Sequence, residues 1–246
     1  MHIIAVMSGK GGVGKSFVAT GLAAALHRRT GATAVLDADI TGASVPHLLG
    51  VPRGARVDAV GHLIPGVSPD GIRVASMSLM LPADDKAIIW RGPLISSAIS
   101  QLFNDTDWGD AEYLVVDMPP GTSDAALTVL QTLKPNGIVV VTTPQDMVTN
   151  VAKRSQDMAL KSEVDVFGLV MNMAYAVCPH CNERIEVFGP VDVAVEGDMP
   201  RLATLPLTPS WAALADEGRA GEVATEEFDS MADVLLAKLE TAEAAS

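Results

Sequence analysis

Residues 8–16 read Ser-Gly-Lys-Gly-Gly-Val-Gly-Lys-Ser, a GxxxxGK[ST] pattern with an additional lysine, Lys10, inside the glycine run. Such a loop is built for phosphate. Gly9, Gly11, Gly12 and Gly14 allow consecutive backbone N–H groups to curl around phosphate oxygens, at angles and distances a β-carbon would obstruct. Lys15 then reaches the β- and γ-phosphates, and Ser16 offers its hydroxyl to Mg2+. The helix opening near Val13 turns the positive end of its dipole to the same anion. Phe17 stands where a small hydroxyl residue is common, which spares the chemistry because the metal-binding hydroxyl is that of Ser16.

Phosphoryl transfer to water requires a metal to spread the developing charge, a group that orients the attacking water, and cations. Two apolar runs, Thr33 to Leu36 and Glu112 to Val116, end in acids: Asp37-Ala-Asp39 and Asp117. Asp117, followed by Met-Pro-Pro-Gly-Thr, is placed to hold Mg2+ through a water, with the Pro119-Pro120-Gly121 turn following the γ-phosphate as a switch. Asp39 is the candidate for orienting the water, and Asp37 supports the metal shell. Each could instead cap a helix or turn; acids at two strand ends beside one phosphate loop favour the metal for Asp117 and Asp39, and leave both readings open for Asp37. Lys10 has no evident work within its own subunit. Across a face-to-face dimer it would neutralise the neighbour's phosphates, as an arginine finger does.

The only cysteines, Cys178 and Cys181, form one Cys-Pro-His-Cys in a loop. A single close pair in an intracellular chain argues for metal binding or redox exchange over a disulfide framework. A tetrahedral zinc site or a [4Fe–4S] cluster uses four ligands, and one subunit offers two thiolates. A twofold axis beside this loop would supply four, an independent pointer to a homodimer. His180 lies between the two cysteines and reads as an exposed bystander.

The elements that must carry these residues alternate. His2 to Met7 reads as a buried strand, Ser16 to Arg29 as a helix, and Ile138 to Thr142, Val166 to Met171 and Leu202 to Leu205 as further strands. Helical stretches around 124–134, 146–161 and 210–217 lie between them. Alternation of this kind makes an α/β fold, a mainly parallel sheet flanked by helices in three layers, with ligands outside the carboxyl ends of the strands. Residues 51–71, rich in Gly and Pro, read as a surface excursion with a small hairpin near His62 to Ile64. No linker divides the 246 residues, so the expectation is one domain over 1–246.

A net charge of −13 argues against a broad nucleic-acid surface. No apolar stretch approaches the roughly 20 residues a membrane helix needs, and the chain enters its first strand without a leader. A soluble, cytoplasmic protein without a nucleic-acid or membrane partner is expected.

The chain resembles the Mrp/ApbC family of iron–sulfur cluster carriers, among the deviant Walker-A P-loop ATPases that include MinD-like members. The resemblance is carried by SGKGGVGKS (8–16), LDADITGASVPHLLG (36–50), IIWRGP (88–93), DWGDAEYLVVDMPPGTSD (107–124), VVTTPQD (140–146) and NMAYAVCPHC (172–181). It implies a P-loop NTPase fold and a homodimer that binds ATP with Mg2+, hydrolyses it slowly, and holds a [4Fe–4S] cluster between paired CxxC motifs. Cluster delivery to apo-proteins, and dealings with an assembly scaffold, follow from the same likeness. So does a base pocket in which Asn172 reads the adenine and the segment from Pro206 to Pro209 forms a wall. Two departures stand out: the stretch after Phe188-Gly189 is shorter than the family's, and there is no N-terminal extension with further cysteines.

Two other readings compete. In a MinD- or ParA-like positioning ATPase the partner is a membrane or DNA. Against it, residues 225–242 read as an amphipathic helix within an acid-rich tail, 225–246, whereas a membrane-surface helix carries Lys and Arg beside bulky apolar residues. A nucleotide-regulated zinc-binding adaptor is the third reading, separable by the identity of the metal.

Overall fold

The computed structural model describes residues 1–54, 56–80, 92–145, 151–178, 180–188 and 199–244. The centre of the sheet is made by strands whose sequences are apolar on both faces: β1 (His2–Ser8), β7 (Tyr113–Asp117) and β8 (Gly137–Thr142). Such runs suit a parallel sheet with both faces covered. With β2 (Thr33–Asp37), β5 (Gly66–Val67), β6 (Arg73–Ser76), β9 (Val166–Met171) and β12 (Arg201–Thr204) they form eight strands in the order β12-β9-β8-β1-β7-β2-β6-β5. Only β5 runs antiparallel to its neighbour.

Strand alternation divides the core between the two faces. Ile4 and Val6 of β1 join a cluster with Leu22 and Leu26 of α1 (Lys15–Thr30) and with Phe228 and Leu235 of the C-terminal helix. Ile3, Ala5 and Met7 point the other way, to Ile99 of α4 (Gly92–Asn104), Leu130 of α5 (Asp124–Leu133) and Ala159 of α6 (Val151–Lys161). Helices, sheet and helices make the three layers. The C-terminal helix (Glu226–Ala244) spends its apolar side on this core, burying Phe228, Met231, Ala232, Leu235 and Leu239. A β-carbon on Gly21 of α1 would lie 2.4 Å from the Phe228 ring, so that glycine sets the close approach of the two helices. Arg28 pairs with Asp229 at 2.7 Å, and Arg29 pairs with Asp233. Both pairs are solvated and add little stability.

The parallel register brings the carboxyl ends of β1, β2, β7, β8 and β9 to one edge, as the alternation of elements requires. Two differences from the sequence expectation are informative. β6, just after the stretch read as an excursion, slots beside β2, and β5, inside that stretch, adds an edge strand to the main sheet, leaving the hairpin of β3 (Arg56–Val57) and β4 (Leu63–Ile64) outside it. These strands span four and two residues, too few for alternation to announce them. The amphipathic helix α4 also has no counterpart in that reading. Residues 88–91 of the IIWRGP motif, residues 146–150 of the expected 146–161 helix, and residues 189–198 lie outside the described residues.

Candidate functional site

The glycine loop begins where β1 ends. Gly12 and Gly14 have φ of +84° and +80°, the left-handed region that favours glycine. Gly14 is also the N-cap of α1, and its carbonyl accepts the first helical bond from the Val18 N–H at 3.0 Å. The Ser8 hydroxyl donates to the Lys10 carbonyl at 2.9 Å, steadying the turn. Lys10 is exposed. Phe17 turns inward and stacks on Trp211 of α7 (Pro209–Asp216) at 6.0 Å, with Phe228 at 6.2 Å, so α1 is anchored immediately behind the loop.

Lys15 and Asp117 meet in the interior, Nζ to Oδ1 2.5 Å, with side chains 6 and 0 % exposed. Burial pushes the Asp117 carboxyl above the usual carboxylate range, while the Lys15 ammonium and the Ser16 hydroxyl pull it back. Asp117 Oδ2 is buried and has no hydrogen-bond partner among the described residues. A buried carboxylate oxygen with no donor, in the neighbourhood of a hydroxyl, suits a hard cation such as Mg2+ or a water that it carries.

Asp37 lies beside Asp117 across the β2–β7 register. It is fully buried, and its oxygens accept from the Asp39 N–H (3.2 Å), the Val45 N–H (3.2 Å) and the Ser76 hydroxyl (3.3 Å). Burial, with the Asp117 charge adding to it, raises its pKa to about 7. Its oxygens therefore hold the loop leading into α2 (Val45–Leu48) while lying beside Asp117. Asp39 is more open. Its Oδ1 caps the following turn, accepting from the Thr41 hydroxyl and the Gly42 N–H, both at 3.1 Å.

The Pro119-Pro120-Gly121 turn lies against the glycine loop. Met118 N–H donates to the Val6 carbonyl at 3.0 Å and Gly121 N–H to the Ser8 carbonyl at 2.9 Å, while a β-carbon on Gly11 would touch Pro120 at 3.9 Å. Gly121 has φ of +78°.

Asn172 closes the other side of the loop. It is buried, and its side-chain N–H donates to the Val13 carbonyl at 2.8 Å. A β-carbon on Gly14 would come within 2.3 Å of that nitrogen, so glycine is needed there for space as well as for φ. This tie had no signal in the sequence beyond an asparagine after a strand. Pro206 follows close by, since Leu205 N–H donates to the Met171 carbonyl and Ala174 N–H to the Leu205 carbonyl. The Pro206 segment thus lies beside Asn172, which is itself bonded to the loop.

Cys178 and Cys181 sit on the turn of a hairpin formed by β10 (Ala176–Val177) and β11 (Arg184–Ile185). Both are free thiols, Cys178 half-buried and Cys181 exposed. The turn is closed by Cys178 N–H to the Glu183 carbonyl and Asn182 N–H to the Cys178 carbonyl, both 2.9 Å. The Cys178 sulfur accepts backbone N–H groups of His180 and Cys181, then the Cys181 thiol, and these lower its pKa. His180 thus serves the sulfur through its backbone, and its ring is exposed. Among the described residues no three His, Cys, Asp or Glu side chains converge as a metal site, so a four-ligand centre on these thiols takes its other ligands from elsewhere.

A family model described as ParA, the NUBPL iron-transfer P-loop NTPase, matches residues 1–240. An iron–sulfur cluster carrier protein of Clostridium perfringens is 40 % identical over 236 residues, covering 92 % of this chain and 82 % of its own length. One from Aquifex aeolicus is 41 % identical over 222 residues, covering 88 % of this chain, but this chain spans only 60 % of it. Among solved structures, a nucleotide-binding protein from Archaeoglobus fulgidus in complex with ADP superposes with a TM-score of 0.82 at 37 % identity, over 93 % of this chain and 90 % of that one.

Proposed function

The chain belongs to the ParA family of NUBPL-type iron-transfer P-loop NTPases, a family of iron–sulfur cluster carriers, and on that footing we propose that two copies bind ATP, hydrolyse it slowly and carry a [4Fe–4S] cluster between their paired Cys178 and Cys181. The observation that carries this reading is the hairpin. Two thiols share one exposed turn, the Cys178 sulfur faces backbone donors that favour the thiolate a metal requires, and Val177, Ile185, Val187 and Leu207 are 43 to 50 % exposed on the hairpin and its flanks. Half a ligand set on an apolar surface suits pairing with a second copy.

The nucleotide side follows from the glycine loop. Backbone N–H groups of residues 9–16 bind the phosphates, Lys15 and an exposed Lys10 from the partner copy neutralise them, and Asn172 with Pro206 borders the base. Ser16 and Asp117 would hold Mg2+, with Asp37 behind them, and the ion would screen charge on the phosphate oxygens. Asp39 orients water. A single unit over 1–246 holds both sites, in the cytoplasm, with apo iron–sulfur proteins and an assembly scaffold as partners.

The positioning-ATPase reading, with a membrane partner, has less support. The C-terminal helix spends its apolar face on the core beside α1, burying Phe228, Met231, Leu235 and Leu239, so that face is not offered to a membrane surface.

Transfer tests the proposal. Protein loaded anaerobically with iron and sulfide should pass its cluster to an apo-ferredoxin, seen as growth of the acceptor's own spectrum, and Cys178→Ala protein should not. A loaded protein that never gives up its cluster to any acceptor counts against the carrier role.

A further inference from the structure

The peptide unit between Val13 and Gly14 has two polar ends. Its carbonyl accepts the Asn172 side-chain N–H at 2.8 Å, and its N–H belongs to the glycine loop that receives phosphate. A trans peptide sets these groups on opposite sides. An anion on the N–H therefore polarises the carbonyl and strengthens its bond to Asn172, as in any chain of hydrogen bonds in a low-dielectric interior.

Asn172 is itself fixed. It is 4 % exposed, and its backbone N–H donates to the Thr142 carbonyl at 2.8 Å. Met173 follows with φ of 53°, uncommon for a residue with a β-carbon, and its Cε would lie 3.5 Å from a β-carbon on Gly14. The chain from there to the thiols has little slack. Ala174 N–H donates to the Leu205 carbonyl at 2.9 Å and Leu207 N–H to the Tyr175 carbonyl at 2.7 Å. The Arg184 guanidinium of β11 lies 4.3 Å above the Tyr175 ring, pinning the second strand of the hairpin to the same segment. Asn172 and Cys178 are joined by roughly 20 Å of chain at full extension.

We infer that Asn172 is a positioning residue that couples phosphate in the glycine loop to the CxxC hairpin, an occupied loop tightening the Val13–Asn172 bond and stiffening the turn that bears Cys178 and Cys181. The inference deepens the proposed function and rests on its nucleotide half, independently of which metal the thiols take.

The test uses full-length, metal-free protein. Alkylation of Cys178 and Cys181 by iodoacetamide is followed by mass spectrometry with and without saturating MgADP. In the wild type MgADP slows alkylation about fivefold, at the low end of ordinary coupling between sites. Asn172→Ala removes the donor, and at MgADP levels shown by titration to saturate it the protection disappears. Met173→Gly keeps the donor but relaxes the turn, and the protection is reduced; this variant decides alone if Asn172→Ala does not bind MgADP. Equal wild-type rates with and without nucleotide overturn the inference, as does full protection in a saturated Asn172→Ala protein, or in Met173→Gly. No iron enters the measurement, so its failure and a failure to carry a cluster are separate results.

Discussion

Lys15 Nζ and Asp117 Oδ1 lie 2.5 Å apart in a buried ion pair that links the first residue of α1 to the last residue of β7. The lysine of the glycine loop and the acid that ends β7 are thus one electrostatic unit. Lys15→Ala should abolish nucleotide binding and also destabilise the protein without nucleotide, by about 3 kcal/mol, because a buried carboxylate loses its counter-charge. Urea titrations and ATP-binding isotherms of the variant check both. Unaltered stability would show that the pair contributes nothing to the fold.

A second prediction concerns pH. Asp37 has its folded pKa raised to about 7, by burial and then by Asp117, and burial raises Asp117 in the same direction. For an acid shifted upward, the folded state holds its proton after the unfolded chain has released it. The stabilisation is complete below the unfolded value near 3.8 and is lost as pH rises through about 7. Stability measured in urea, without Mg2+ or nucleotide, should fall between about pH 4 and 7 and level off above. Asp37→Asn should flatten the slope without abolishing it, since Asp117 remains. A slope as steep in the variant would remove Asp37 as its source.

Asp39 tests the proposed hydrolysis. Asp39→Ala should bind ATP and turn it over at least about tenfold more slowly. Asp39→Asn keeps an oxygen to accept from Thr41 and Gly42, so slow turnover in that variant separates the carboxylate charge from the cap. Undiminished phosphate release in both would end the water-orienting assignment.

Most of the sheet edge was legible because its signals are local. The glycine run, and apolar strands ending in Asp37 and Asp117, place the loop and both acids at one edge once parallel pairing is assumed, and the register sets those two aspartates side by side. β6 was missed because four residues carry too little pattern, and β5 because an edge strand is defined by its neighbour. The tie from Asn172 to Val13 joins residues distant in sequence, so nothing near either announces it. The hairpin of β10 and β11 carries no signal beyond a loop, since two strands of two residues have no periodicity. Its cysteines were visible and the backbone donors to Cys178 were not, because those depend on the turn's geometry.

Iron content and mass, measured together on anaerobically reconstituted protein, test the central claim most directly. The account predicts a dimer holding about four irons, with Cys178→Ala and Cys181→Ala each losing the iron while retaining ATP binding. A protein that stays monomeric under every nucleotide and iron condition, or that binds one zinc per dimer and no cluster, would contradict it.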